Sequence, residues 1–490
     1  MTRHPLAAWL VRMVVGLGFS TITCGAWAAD TRDPVIIGER FQLQSKILNE
    51  TRTYVVHTPS YSSRHESYPL LILQDGENNF MHTSAAVDLL SATGRIPPMI
   101  VVGIYNTDRA RDMTPTKPEK AVDGTPWTGS GAGAKNFLSF IADELIPTIE
   151  HKYRTRPYRV LVGHSLGGLF AIYALTTRPD VFNAYLAISP SLWWDDQSLV
   201  KAAQPFFAAH PDLRGDLYMT MANEGQAMLG GAWKLSAILE ESKLPNLRWH
   251  FKRSPEEDHG STPYLSTYEG LQVIFDGYRI ADPVALFDQG GIDAIERHYA
   301  EVSKRLGYEV KITTDVYANT AYTLADHERL ADAETVGKYW IAKEPKSSIA
   351  VMTMAQFAAR RKDDAQATQF LTQVLQMFPG NTGARQMLAL YHVDADKIAP
   401  SLPISARNAA AFAGQYGRDA DLKTITYESG KLLMKSALGD CELHALTATK
   451  LYCVDWDIEF AFRKNSGGRV VGVTVDDEYE DDGAYLQKVK

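Results

Sequence analysis

The chain has 490 residues, 45% of them hydrophobic and 22% charged, with a formal net charge of −8. That is too long for one hydrophobic core and ordinary in composition for a globular protein, so two or three domains are expected; wholesale disorder and a multi-span membrane protein are excluded. A net acidic chain without basic runs is a poor match to nucleic acid or to an anionic membrane surface.

Residues 1–28 read as a secretory signal peptide. Arg3, His4 and Arg12 flank a short apolar stretch that runs to Ala26-Trp27-Ala28, with cleavage expected after Ala28. The apolar run is too short to span a bilayer, and the competing reading is a retained anchor. Thr23 fits poorly before a lipobox cysteine at Cys24. Cleavage removes two arginines and no acid, taking the charge from −8 to −10. It leaves a periplasmic or secreted protein with no membrane span. Of three cysteines, Cys441 and Cys453 then remain. In an oxidising compartment they are expected to pair, the competing reading being two buried thiols. No Cys/His cluster has zinc spacing, so no metal is expected.

From 33 to 283, strand-like and helix-like segments alternate. Phe41–Leu48 and Thr53–His57 read as an opening antiparallel pair. Leu70–Leu73, Met99–Ile104 and Arg159–Val162 read as buried strands, and Phe137–Tyr153 as a helix. The pattern predicts an α/β fold with a mostly parallel sheet covered on both faces. Residues 288–395 are nearly free of strand signals and read as helical. Ser348–Gly380 looks like one tetratricopeptide-type hairpin, with Ala355 and Ala367 at the small packing positions and Pro379 closing it. This region is the expected place for a protein partner or self-association. Residues 404–490 read as short strands separated by Gly, Asp, Asn and Ser, a small antiparallel β domain.

The chemistry concentrates in Gly163-His164-Ser165-Leu166-Gly167-Gly168, a G-x-S-x-G pattern between an apolar strand and a helix. A serine lifted on a sharp strand-to-helix turn needs small neighbours two positions either side, and Gly163 and Gly167 supply them. The turn also aims the Leu166 amide and the helix N-terminus at a developing oxyanion. A serine hydroxyl is a poor nucleophile until a base takes its proton, and in this arrangement the acid and then the histidine follow the serine along the chain. Glu224 and His259 occupy those places. Asp258, Asp195, Asp196, or a Ser–His dyad without an acid, are the alternatives for the third member. The Glu77 amide, after Asp75-Gly76, is the expected second oxyanion donor. Trp193, Trp194, Trp127 and Tyr105 read either as an aromatic wall for substrate or as core. Arg109 and Arg111 read either as an anion grip or as partners of Asp108 and Asp112.

Leu73-Gln-Asp75-Gly76, Arg111-Asp112-Met-Thr-Pro115, Gly163–Gly168, Ser189-Pro-Ser-Leu-Trp-Trp194 and Glu257-Asp-His259-Gly-Ser261 together resemble the putative-esterase branch of α/β hydrolases, the esterase D and enterochelin-esterase-like group. The resemblance spans about residues 35–280. It implies a carboxyl-ester hydrolase without metal or organic cofactor that acts on a small-molecule ester, with Ser165 as nucleophile, His259 as base and the Glu77 and Leu166 amides as oxyanion hole. The segment Ser189–Trp194 is similar to one in periplasmic siderophore esterases. An acyltransferase using the same serine, or a scaffold with a relict hydrolase domain, are the rival readings. The C-terminal half departs from simple siderophore esterases.

Overall fold

Strands rich in Val, Ile and Leu with both faces apolar form a parallel sheet only where helices cover both sides. This chain does so with eight strands: β1 (Glu39–Ser45), β2 (Glu50–His57), β3 (Tyr68–Leu73), β4 (Ile100–Ile104), β5 (Thr155–His164), β6 (Ala184–Ile188), β7 (Gly215–Met221) and β8 (Leu247–Arg253). Their order is β1-β2-β4-β3-β5-β6-β7-β8. The first two strands join antiparallel and the rest run parallel. The computed structural model describes residues 35–59, 66–120, 124–400, 402, 404–417, 422–436, 439–453, 458–477 and 484–489. The signal peptide expected over 1–28, with Cys24, lies outside them. Among the described residues, no helix is long and apolar enough to cross a membrane.

Alternate residues of the sheet feed two cores. On one face Leu70, Ile72, Val102, Leu161 and Met219 pack under the helices Ala134–Phe140, Leu166–Thr177 and Gln226–Ser242. On the other, Leu71, Leu73, Val101, Val160 and Leu186 meet Phe80, Val87 and Leu90 of the helix Gly76–Ala92, and Leu271 and Ile274 of the helix Thr262–Ile274. This second core does not stop at the hydrolase boundary. It continues without a break through Phe275 and Ile280 to Ile295, Tyr299, Val302 and Leu306, and on to Trp340 and Phe357. Gly38–Lys490 accordingly form one contact unit.

The helical region is more regular than its sequence suggests. Helices Thr314–Asp326 and Leu330–Lys343 form one pair, and Ser348–Arg360 and Asp364–Met377 the next. Their N-caps Thr313 and Ser347, and Asn381 before Thr382–Leu390, stand 34 residues apart in turn. The left-handed turn residues Glu328 and Lys362 keep the same interval. The hairpin over 348–380 therefore has helices on both sides to bury its faces. Ala355 and Ala367 are both fully buried.

The last region is an eight-stranded antiparallel meander: β9 (Gly414–Tyr416), β10 (Lys423–Glu428), β11 (Lys431–Ser436), β12 (Gly439–Ala445), β13 (Lys450–Cys453), β14 (Ile458–Lys464), β15 (Val470–Asp477) and β16 (Ala484–Gln487). Its two edges meet. The Gly417 N–H donates to Gln487 O (2.9 Å) and the Val489 N–H to Gln415 O (2.8 Å). The sheet thus closes towards a barrel and hides its edge strands. Phe412, from the helix Ala406–Phe412, packs on Phe462 with ring centroids 4.4 Å apart. Cys441 and Cys453 form a disulfide between β12 and β13, with Cα atoms 5.8 Å apart.

Candidate active site

Strand β5 delivers Ser165 to a sharp turn before the helix Leu166–Thr177. Its backbone stands at φ 61°, ψ −114°. A non-glycine residue in that region carries about 1–3 kcal/mol of strain, sustained by the surrounding structure. Three hydrogen bonds fix the turn: Ser165 N–H to Ile188 O (2.9 Å), Ser191 N–H to Ser165 O (3.0 Å) and Leu169 N–H to Ser165 O (3.0 Å). The flanking glycines are steric requirements. A Cβ on Gly163 would overlap the Gly167 carbonyl, and one on Gly168 would lie 2.9 Å from Ile188 O. Gly163→Ala should therefore lower stability by about 3 kcal/mol and remove labelling of Ser165 by a fluorophosphonate. Chemical denaturation and mass spectrometry check the two effects.

The loops after β7 and β8 bring Glu224 and His259 together. The Asn223 N–H donates to Glu257 O (2.9 Å), which ties one loop to the other. His259 Nδ1 lies 2.5 Å from Glu224 Oε1. Burial pushes the Glu224 carboxyl up, but the hydrogen bond from His259, with help from Ser189, outweighs it and holds the group below its ordinary value. Two of the other acids are engaged elsewhere. Asp258 Oδ1 caps the amides of Gly260 and Ser261, both at 2.8 Å. Asp196 pairs with Lys201. Of the four acids considered, Glu224 is the one within hydrogen-bond reach of His259 among the described residues.

Ser165 Oγ lies 3.3 Å from the hydroxyl of the buried Ser191. Among the described residues Ser165 and His259 share no hydrogen bond. Catalytic hydrogen bonds are often long or open before substrate arrives. The sequence alone does not single out Ser191, which lies within Ser189–Trp194.

His164 stands against His259, with ring centroids 4.4 Å apart. Burial, then the neighbouring His259, pushes His164 from 6.5 down to about 4. It is neutral at pH 7, so a second cation does not oppose protonation of His259. Between about pH 6.5 and 4 the unfolded chain binds a proton that the folded site refuses, so this group removes stability as pH falls through that window. His164→Gln should flatten the loss, read as the change in urea midpoint between pH 7 and pH 4.5.

Both expected oxyanion donors stand in the first turn of a helix, where an amide has no intrahelical acceptor. Leu166 opens its helix, and Glu77 is the second residue of Gly76–Ala92. Asp75 precedes it in a left-handed conformation (φ 54°), and Gly76 lies so close to Gly103 that a Cβ would meet its backbone at 2.6 Å. Arg109 holds this arm through a bidentate pair with Asp75 (2.6 and 2.9 Å), while the same guanidinium reaches His164 O at 3.0 Å. Asn106 Nδ2 bridges Asp75 and Glu77, at 2.7 Å to each. Arg109 thus pairs with Asp75 rather than Asp108, and ties the Asp75–Glu77 turn to the turn that carries Ser165.

The substrate-binding candidates divide. Arg111 donates to Asp112 (2.7 Å) and Glu50 (2.8 Å), so its guanidinium is engaged as an ion-pair partner rather than as an anion grip. Trp194 is buried, donates to Thr116 O (3.0 Å) and meets Trp127 edge-on at 5.2 Å; it is core. Trp193 and Tyr105 are half-buried.

Against known proteins, residues 45–234 match the family model described as Putative esterase. The ferri-bacillibactin esterase of Bacillus subtilis is 36% identical over 178 residues, which cover 32% of this chain and 60% of the relative. The siderophore enterobactin esterase of Emericella nidulans is 39% identical over 129 residues, covering 24% of this chain and 43% of the relative. The chain thus spans about half the length of these curated relatives. An IroE-like serine hydrolase from Shewanella oneidensis is similar in structure, with a TM-score of 0.52 at 28% identity, covering 70% of this chain and 99% of that one.

Proposed function

We propose that this chain is an exported serine esterase that hydrolyses a siderophore-type carboxyl ester through an acyl-enzyme on Ser165. The observation that carries the reading is the 2.5 Å contact between His259 Nδ1 and Glu224 Oε1, in loops at the same end of the sheet as the strained Ser165 turn. Glu224 fixes the tautomer in which His259 Nε2 accepts a proton, and stabilises the imidazolium that follows. In the reactive geometry the Ser165 hydroxyl turns from Ser191 to His259. Oγ attacks the ester carbonyl, the proton passes to Nε2, and the Leu166 and Glu77 amides receive the oxyanion. His259 then protonates the leaving alcohol, and a water activated by the same nitrogen releases the acid.

The substrate class is supported by the relatives, which are siderophore esterases. Trp193 and Tyr105 remain as aromatic contacts for it. Export is supported by the order of charge, apolar run and Ala26-Trp27-Ala28 in the sequence. Docking of a protein partner or a second copy on the helical region is supported by its 34-residue spacing. A panel of p-nitrophenyl, feruloyl, acetyl-sugar and ferric-siderophore esters tests the activity. Turnover of a ferric siderophore above the simple esters supports the reading, and no turnover of any ester overturns it. An intact mass that still includes residues 1–28 in secreted or periplasmic protein overturns the export step.

A further inference from the structure

The active site lies where the parallel strands end. At the opposite edge, where β3 and β5 begin, a cavity of about 580 Å³ opens between the sheet and the helical region. It has the size of a small-molecule site, and nothing in the proposed reaction uses it. Tyr68, Arg156, Tyr278, Tyr299, Tyr308 and Thr320 line it.

Its polar groups are arranged for a ligand. Arg156 Nε donates to Ser67 O at 2.7 Å, and the guanidinium lies over the Tyr308 ring, 4.9 Å from its centroid. The stem and plane are therefore fixed, while the two terminal nitrogens have no protein partner among the described residues. Thr320 is 1% exposed, yet its hydroxyl makes no hydrogen bond, although a helical threonine ordinarily bonds the carbonyl one turn back. The Tyr308 hydroxyl is likewise buried without a partner. An unmet buried hydroxyl costs about 1–3 kcal/mol, which a ligand or water in the cavity would offset. Glu66, Glu309, Asp315, Arg279 and Lys311 also line the cavity, but all five are solvent-exposed, so Arg156 supplies the shielded charge.

We propose that this cavity is a second binding site, separate from Ser165, for a small aryl carboxylate. The carboxylate takes the free edge of the Arg156 guanidinium, which matches its two oxygens. The Thr320 and Tyr308 hydroxyls complete its hydrogen bonds, and the aryl body lies among the tyrosine rings.

Isothermal titration of the full chain with sodium 2-naphthoate tests this, with 2-naphthamide as the uncharged control. Saturable 1:1 binding is expected for wild type and, unchanged, for Ser165→Ala. It should weaken at least tenfold for Arg156→Gln, for Thr320→Val and for the amide. The two variants test different partners, so a fold-disrupting effect in one, visible as a lowered unfolding midpoint, leaves the other to decide. No saturable binding to wild type overturns the proposal; so does binding lost in Ser165→Ala, or undiminished in a folded Arg156→Gln or Thr320→Val.

Discussion

Ser165→Ala is expected to lower ester turnover by about 10⁴- to 10⁶-fold, the loss seen when a serine nucleophile is removed from its base and oxyanion hole. The fold should survive, because alanine keeps the Cβ and the three backbone hydrogen bonds that define the turn. A second replacement separates chemistry from strain. At φ 61° glycine is at ease where alanine and serine are not, so Ser165→Gly should be equally inactive but more stable than Ser165→Ala by about 1 kcal/mol. Turnover at saturating ester and urea unfolding of the two variants measure both effects. Residual turnover within a hundredfold of wild type would remove Ser165 from the mechanism. Equal stabilities would remove strain from the account of the turn.

Asp112→Leu is expected to be the most destabilising single change outside the Ser165 turn. Arg52 is fully buried and Asp112 1% exposed, and they pair at 2.5 Å. Arg52 also donates to Thr107 Oγ1 (2.6 Å) and the Tyr105 carbonyl (3.1 Å), and lies over the Phe137 ring at 5.0 Å. Taking Asp112 away leaves a buried guanidinium with Glu50 as its remaining carboxylate, which costs about 3 kcal/mol. Replacing both charges, as Arg52→Met with Asp112→Leu, removes the stranded cation and should recover much of that loss. A double-mutant cycle in guanidinium chloride reads the coupling directly. Additive losses would mean that the pair is not acting as one buried unit.

The parts legible in the sequence are those whose signal is local. Leu70-Leu-Ile-Leu73 and Met99–Ile104 announce buried strands by composition, and Gly163–Gly168 announces the turn by steric need. Chain order then directs attention to the loops holding Glu224 and His259, which the fold brings within 2.5 Å. What stayed hidden depends on partners far away along the chain. Nothing near Arg109 tells it to choose Asp75 over Asp108, and nothing in Ser189-Pro-Ser191 says that the second hydroxyl will face Ser165. Trp194 is indistinguishable from a substrate-facing aromatic until Thr116 and Trp127 enclose it. The helical repeat was half visible: one hairpin shows in its small residues, but the 34-residue register rests on capping residues as different as Thr313, Ser347 and Asn381.

The core that runs unbroken from Leu71 and Val160 to Trp340 gives the helical half a mechanical meaning. A module on a linker can swing without loading its neighbour. Here the helices act as a keel, rigidly joined beneath the central strands, and β5 is the strand that carries Ser165. Any load placed on the helices is borne by the floor under Ser165 rather than absorbed at a hinge.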